Sequence, residues 1–198
     1  NSYNSRNFNI IMKLLIMGPP GVGKGTQAKK IKLHFNIFHL STGKVLRNEI
    51  SKKTEIGLKS SAFINKGELV PDYILLRIVK KYISENQYLN GFIFDGFPRT
   101  LAQAEGLDKI LNDYNQKLDA VISLNADKDE LINRLIIRSK DSGRSDDNLN
   151  IIKNRQKIYW EQTSPLLEYY RSKQILKEIN GVGEISQITN DIINSIKS

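Results

Sequence analysis

The chain has 198 residues, which suits one domain large enough to bury about 70% of the surface its unfolded form exposes. It contains no cysteine, so disulfides and thiolate metal sites are excluded, and no apolar run approaches the ~20 residues of a membrane span. A net charge of +9 points to acidic partners and leaves nucleic acid, anionic lipid and nucleotide polyphosphate open, although a general richness in Lys, Ile and Asn explains part of it.

Residues 1–9 form a polar tail without acidic side chains. Met12 is a candidate natural start, and a tail of Ser, Asn and Arg also suits a trimmed organellar presequence. The expectation is a cytoplasmic protein, or an organellar one if residues 1–11 are the remnant of a transit peptide. The apolar run after it predicts a strand over 12–17. Directly behind comes Gly18-Pro19-Pro20-Gly21-Val22-Gly23-Lys24-Gly25-Thr26, which fits the phosphate-cradling pattern G-x-x-x-x-G-K in its required place between strand and helix. Glycines let the backbone approach an anion without a Cβ in the way. Successive N–H groups and the positive end of a helix dipole then face it, and Lys24 adds a mobile charge.

Further along, short apolar runs alternate with segments of helical period, the pattern of a parallel sheet with crossover helices. Strands are predicted over 37–40, 92–95, 120–125 and 175–179, and the unbroken apolarity of Phe92-Ile93-Phe94 and Val121-Ile122 suits strands covered on both faces. Helices are predicted over 24–35, 42–51, 56–66, 72–84, 101–112, 128–139, 149–162 and 185–196. Pro165 after Ser164 predicts a break and a restart near Leu166. Residues 43–71 hold two helices without a strand, and 140–148 (KDSGRSDDN) read as a polar loop. Both are candidate flaps over a site beyond the carboxyl ends of the strands.

Asp95 ends its strand and runs straight into Gly96-Phe97-Pro98-Arg99. A carboxylate at such a strand end in a phosphate-loop enzyme holds Mg²⁺, directly or through water. Arg134 and Arg138 are four apart and share a helix face. Arg144 lies in the polar loop, Arg155 on the next helix, and Arg47 and Arg99 arrive from elsewhere. Two dianionic phosphates ~5 Å apart repel by roughly 3 kcal/mol in water and about 13 kcal/mol at an effective dielectric of 20. A site holding two phosphorylated ligands head to head therefore needs several cations, and the arginine fork suits bidentate phosphate contacts. His34 and His39 have no ligand partners at useful spacing and read as ordinary fold residues. Trp160 with Tyr159, Tyr169 and Tyr170 reads as helix packing, and no nucleic-acid module appears.

Taken together, GPPGVGKGTQA (18–28), HLSTG (39–43), LR (46–47), KGELVPD (66–72), GFIFDGFPRTLAQAE (91–105), RLIIR (134–138) and SGRSDDN (142–148) make the chain resemble the nucleoside monophosphate kinases, and among them the adenylate kinases in their short-lid form. The matches span nearly the whole length. Gly25, where generic phosphate loops carry Ser or Thr, is also this family's form. The resemblance implies an α/β phosphate-loop fold, a five-stranded parallel sheet flanked by helices, with a helical monophosphate-binding flap over 43–71 and a short lid over 140–148.

It also implies roles. Gly21, Val22, Gly23, Lys24, Gly25 and Thr26 would hold the ATP phosphates. Arg134 and the turn around Gly183 would face the ATP adenine, and Arg138 the transferring phosphates. Arg144 and Arg155 would gather the phosphates of both nucleotides, and Arg47 and Arg99 would grip that of AMP. Thr42, Val70, Gly96 and Gln103 would read the AMP adenine, and Asp95 would anchor the water shell of Mg²⁺. Lys24, Arg99, Arg138, Arg144 and Arg155 would be the catalytic set.

Base choice is divided. Thr42 and Gln103 resemble the AMP enzymes, since UMP/CMP relatives usually carry Ala and Asn near those positions, whereas SGRSDDN looks like the UMP/CMP enzymes. The expectation is an ATP:AMP phosphotransferase with a UMP/CMP kinase as the alternative. Lys44 departs from the family's usual Asp after the STG motif. The short lid, like the missing cysteines, leaves no place for structural zinc. A monomer without nucleic-acid or membrane partners is expected.

Overall fold

A computed structural model describes residues 11–85, 88, 90–142 and 148–197, and the polar tail 1–9 lies outside them. The run that precedes the glycine turn becomes the central strand β1 (Lys13–Met17), with β2 (Phe38–Ser41), β3 (Phe92–Asp95), β4 (Ala120–Asn125) and β5 (Leu176–Asn180) around it. The order is β2-β3-β1-β4-β5, and every pairing is parallel. The five expected strands are all present, with ends shifted by a residue at most.

Alternation along the strands divides the interior in two. Leu15 and Met17 of β1, Phe92 and Phe94 of β3 and Val121 of β4 face one layer. Leu14, Ile16, Ile93, Ile122 and Leu124 face the other. The first layer is closed by α4 (Asp72–Ser84), α5 (Leu101–Asp113) and α8 (Leu166–Ser172), which contribute Ile78, Leu107 and Tyr170. The second is closed by α1 (Lys24–Phe35), α6 (Lys128–Ser142) and α9 (Ile185–Lys197), through Ile31, Leu131 and Ile192. Covering on both faces is why these strands read as continuous apolar runs rather than alternating ones.

The stretch 43–71 carries α2 (Thr42–Ser51) and α3 (Glu55–Lys66) and no strand, as expected. Thr54 caps α3 by accepting from the Gly57 N–H (3.1 Å) and donates to the Glu49 carboxylate (2.5 Å). The two helices cross so closely at Gly57 that a Cβ there would sit 2.1 Å from the Glu49 carbonyl oxygen. Gly18 at the exit of β1 has φ +146°, and a Cβ would lie 2.6 Å from the Leu124 carbonyl oxygen. The turn into the phosphate loop therefore needs glycine for both conformation and space.

Two sequence expectations are corrected. Helix α6 runs to Ser142, three residues past the predicted end, so part of the expected polar loop is helical and its residues 143–147 lie outside the described residues. Helix α7 (Leu149–Ile158) does not stay α-helical to Gln162. It widens into a π turn, Tyr159–Thr163, in which the Ser164 N–H reaches the Tyr159 carbonyl at 2.8 Å. The expected restart is present: after a turn at Ser164 and Pro165, whose backbone angles stay helical, α8 begins at Leu166. Proline has no N–H for the fourth-preceding carbonyl and its ring crowds that group, and the wider turn before it accommodates both.

Gly57→Ala tests the close crossing of α2 and α3. It is expected to cost about 1–3 kcal/mol, as overpacking of a tight contact does, and to lower the urea midpoint; an unchanged midpoint would show that the two helices part freely.

Candidate active site

Gly23 takes a left-handed conformation (φ 101°) at the start of α1 and offers no side-chain cap. The first turn carries no acidic residue. Its free N–H groups and the helix dipole are thus left to an external anion. The Val22 side chain is buried in the core, so this residue can contribute only its backbone. Lys24 folds back over the loop, donating to the Gly18 carbonyl at 2.7 Å and the Pro19 carbonyl at 3.1 Å. Burial lowers its pKa to about 7, Asp95 opposes that shift, and the charges of Arg99, Arg155 and Arg138 reinforce it.

Asp95 ends β3 in register with Ile16 of β1 and Ser41 of β2, one strand from the phosphate loop as its position in the sequence suggested. Burial alone would push its pKa up, but the His39 imidazole, the Lys24 ammonium and the Arg99 guanidinium outweigh that and hold it below the usual carboxylate value. His39 Nε2 lies 3.8 Å from the carboxylate, a close approach rather than a hydrogen bond. Expected to be a plain fold residue, His39 instead borders the site. Only strand order, which spacing does not reveal, brings β2 beside β3.

A cavity of about 620 Å³ opens over the loop, bordered by Gly21, Gly23, Lys24, Gly25, Thr26, Asp95, Arg47, Arg99, Arg134, Arg138 and Arg155. A second one of about 60 Å³ adjoins it, lined by Thr42, Val70, Gly96 and Gln103 and again by Arg47, Arg99 and Arg155. Three arginines from three elements therefore straddle the two spaces. Arg134 is held by Glu130 (2.6 Å) and by the Gly181 carbonyl (3.2 Å), which ties the turn after β5 to this end of the cavity. Gly183 itself borders neither space. Arg144 lies outside the described residues.

The smaller cavity is wired by a hydroxyl and an amide held between Arg99 and Asp72. Thr42 donates to the Gly96 carbonyl at 3.0 Å, and Arg99 Nε donates to the same oxygen at 2.8 Å. The Gln103 amide is fixed at both ends: its oxygen accepts from the Arg99 N–H (2.8 Å), and its nitrogen donates to Asp72 (2.8 Å). One lone pair and one N–H remain for a ligand. Sequence reasoning missed Lys29 and Thr163 and read Tyr159 as helix packing, yet all three border the larger cavity. Lys44, noted in the sequence as a departure after the STG motif, borders it too, one turn before Arg47 on α2.

Comparison with known proteins decides among phosphate-loop enzymes. Residues 16–175 match the family model described as adenylate kinase. The adenylate kinase of Nocardioides sp. is 42% identical over 185 residues, 93% of this chain and 97% of that protein. That of Leptospira biflexa serovar Patoc is 44% identical over 184 residues, 93% and 99%. That of Bifidobacterium longum is 44% identical over 186 residues, 94% and 100%. The chain belongs to the adenylate kinase family. Its phosphate loop, Asp95, Arg99, Arg134, Arg138 and Arg155 all fall within the matched span.

The lowered pKa of Lys24 has a measurable consequence for this family member. At pH 8.5 the free amine is mostly neutral, and polyphosphate bound beside it raises its pKa again. Nucleotide binding is expected to take up about one proton at pH 8.5, read as a dependence of calorimetric enthalpy on the buffer's ionisation heat. Lys24→Met should remove that uptake; wild-type enthalpies independent of buffer would contradict the shift.

Proposed function

We propose that the chain transfers the γ-phosphoryl group of MgATP to AMP, reversibly, giving two molecules of ADP. The observation that carries this reading is the sharing of Arg47, Arg99 and Arg155 by the two adjoining cavities. Cations common to both spaces suit two phosphates that must approach each other. In this reading the larger cavity takes ATP, with Gly21 to Thr26 and Arg138 around its phosphates and Arg134, tied to the turn after β5, toward its adenine. The smaller one takes the adenine of AMP against Thr42, Val70, Gly96 and Gln103. Arg144 belongs to the proposed phosphate-gathering set by its position in the lid, residues 140–148, and residues 43–71 form the flap over AMP.

Adenine presents a hydrogen-bond donor, N6, beside an acceptor, N1. The spare lone pair and N–H of the Gln103 amide match that pair. Cytosine offers the same pair in N4 and N3 and uracil does not, so the match supports AMP against UMP.

A metal arriving with the phosphates also fits. Among the described residues no group of three or more His, Cys, Asp or Glu could hold an ion unaided. Asp95 is nonetheless a half-buried, ionised carboxylate beside the loop, only 3.6 Å from where a Gly25 Cβ would be. One carboxylate acting through water, with phosphate oxygens as the main ligands, is how Mg²⁺ is commonly held. When bound it would supply positive charge that stabilises the donor phosphates during transfer.

The chain's own residues do the rest. An AMP phosphate oxygen attacks the γ-phosphorus as the bond to the β-phosphate oxygen breaks. The attacking group has a second pKa near 6, so it is already ionised at neutral pH and needs no general base. Lys24 and the arginines hold donor and acceptor in line and bear the charge spread over the transferring group. Closure of flap and lid would exclude water, which otherwise takes the phosphoryl group. No described helix is long and apolar enough to cross a membrane. A cytoplasmic monomer without nucleic-acid partners completes the proposal.

Offering ATP with AMP, UMP, CMP and GMP in turn is expected to give AMP at least a tenfold advantage in kcat/KM; preference for UMP or CMP would replace this reading by the pyrimidine alternative. Lys24→Met should lower kcat by about 10²-fold or more, the scale on which a lost transition-state contact acts. Arg99→Ala should raise KM for AMP about tenfold or more while changing that for ATP much less, and an unchanged AMP value would refute the assignment of Arg99.

A further inference from the structure

We infer that residues 154–163, the end of α7 and its π turn, brace the donor loop against the acceptor loop, and that Gln156 and Thr163 are positioning residues for the transfer step. Three side chains of this short segment donate to backbone carbonyls in three separate parts of the site. Asn154 Nδ2 reaches the Lys66 carbonyl at the end of α3 (2.9 Å). Gln156 Nε2 reaches the Pro20 carbonyl of the phosphate loop (2.8 Å). Thr163 Oγ1 reaches the Arg99 carbonyl (2.9 Å). Arg155, which borders both cavities, lies between the first two.

The sheet alone cannot do this. Ile16 and Asp95 are held side by side in β1 and β3, but Pro20 and Arg99 stand several residues beyond those strands, in loops. Phosphoryl transfer requires reacting atoms ~3–3.5 Å apart and aligned, so the loop tips need a fixed separation of their own. Gln156 and Thr163 touch one tip each, from opposite ends of one helical rod.

Two features argue that the segment is shaped for this contact. Thr163 is buried and borders the larger cavity, as does Tyr159. Gln156 precedes the π turn and Thr163 is its last residue, so the wider turn changes the angle about the axis between the two tethers relative to a continuous α-helix. Gln156 is equally buried, yet its Oε1 has no hydrogen-bond partner among the described residues. Burying an unmatched acceptor is unfavourable, and a leucine of similar volume would avoid it. The retained amide does one visible thing: it holds Pro20.

The inference rests on the proposed ATP:AMP reaction, and single-turnover kinetics of ADP formation test it. Thr163→Val removes the tether with little change of shape. It is expected to slow the single-turnover rate about tenfold or more while leaving KM for ATP and for AMP within about twofold, because each nucleotide keeps its own contacts. Thr163→Ser, which retains the hydroxyl, should recover the rate to within about twofold of wild type. A Thr163→Val rate within twofold of wild type, a Thr163→Ser as slow as Thr163→Val, or a loss confined to KM would overturn the brace. Should Thr163→Val melt below the assay temperature, Gln156→Leu is judged by the same criteria. Wild-type protein in the same assay separates the two ideas: no ADP from ATP and AMP removes the reaction itself, whereas normal wild-type transfer unaffected by the substitutions removes only the brace.

Discussion

Concentrated positive charge is the constraint around which this site is built. Eight cationic side chains, Lys24, Lys29, Lys44, Arg47, Arg99, Arg134, Arg138 and Arg155, border the larger cavity with Asp95 as the single carboxylate among its described lining residues. Burial, reinforced by the charges of Arg99, Arg155 and Arg138 and opposed by Asp95, brings the pKa of Lys24 down to about 7. A lysine whose folded pKa lies below its unfolded value makes the native state bind fewer protons than the unfolded chain. Its burial therefore costs most below about pH 7 and progressively less as pH rises toward the unfolded value. Polyphosphate relieves that cost, so the same field that destabilises the empty fold draws the substrates in.

Such a concentration of charge is tolerable only on a scaffold that needs none of it. Both apolar layers are complete without any site residue apart from Val22 and Val70, and the sheet buries its central strand on both faces. The cations come from helices and loops at the carboxyl ends of the strands. There each can be placed without spending core volume, and this is where open parallel sheets bind ligands.

Much of this was legible in the sequence, and the reasons differ by residue. The glycine turn was visible because Gly18 and its neighbours need conformations that few other residues adopt. The strands over Phe92–Asp95 and Ala120–Asn125 were visible because burial on two faces forces continuous apolarity. Asp95 was visible as the polar end of such a run. What escaped was whatever depends on contacts distant in sequence. His39 has no local signature, and it reaches Asp95 only because β2 pairs with β3. Thr163 sits in a helical stretch whose π turn is set by crowding at Pro165 and by the Arg99 carbonyl. The order of the strands and the straddling arginines likewise belong to tertiary structure rather than to pattern.

The groups that hold this field in place are nearly all uncharged, and the electrostatics explain why. A carboxylate used as a tether beside these arginines would pair with them and cancel the charge that the substrates require. The tethers seen instead are amides and hydroxyls donating to backbone carbonyls: Thr42 to Gly96, Asn154 to Lys66, Gln156 to Pro20 and Thr163 to Arg99. Two acids also fix site residues, Glu130 pairing with Arg134 and Asp72 gripping the far end of the Gln103 amide, and both stand back from the two cavities. Neutral hydrogen bonds are weaker individually than ion pairs of good geometry. They are directional, however, and leave the net charge untouched. Position is thus set by dipoles and binding by charge, so a change in one of these tethers can alter alignment without altering the attraction that brings the nucleotides together.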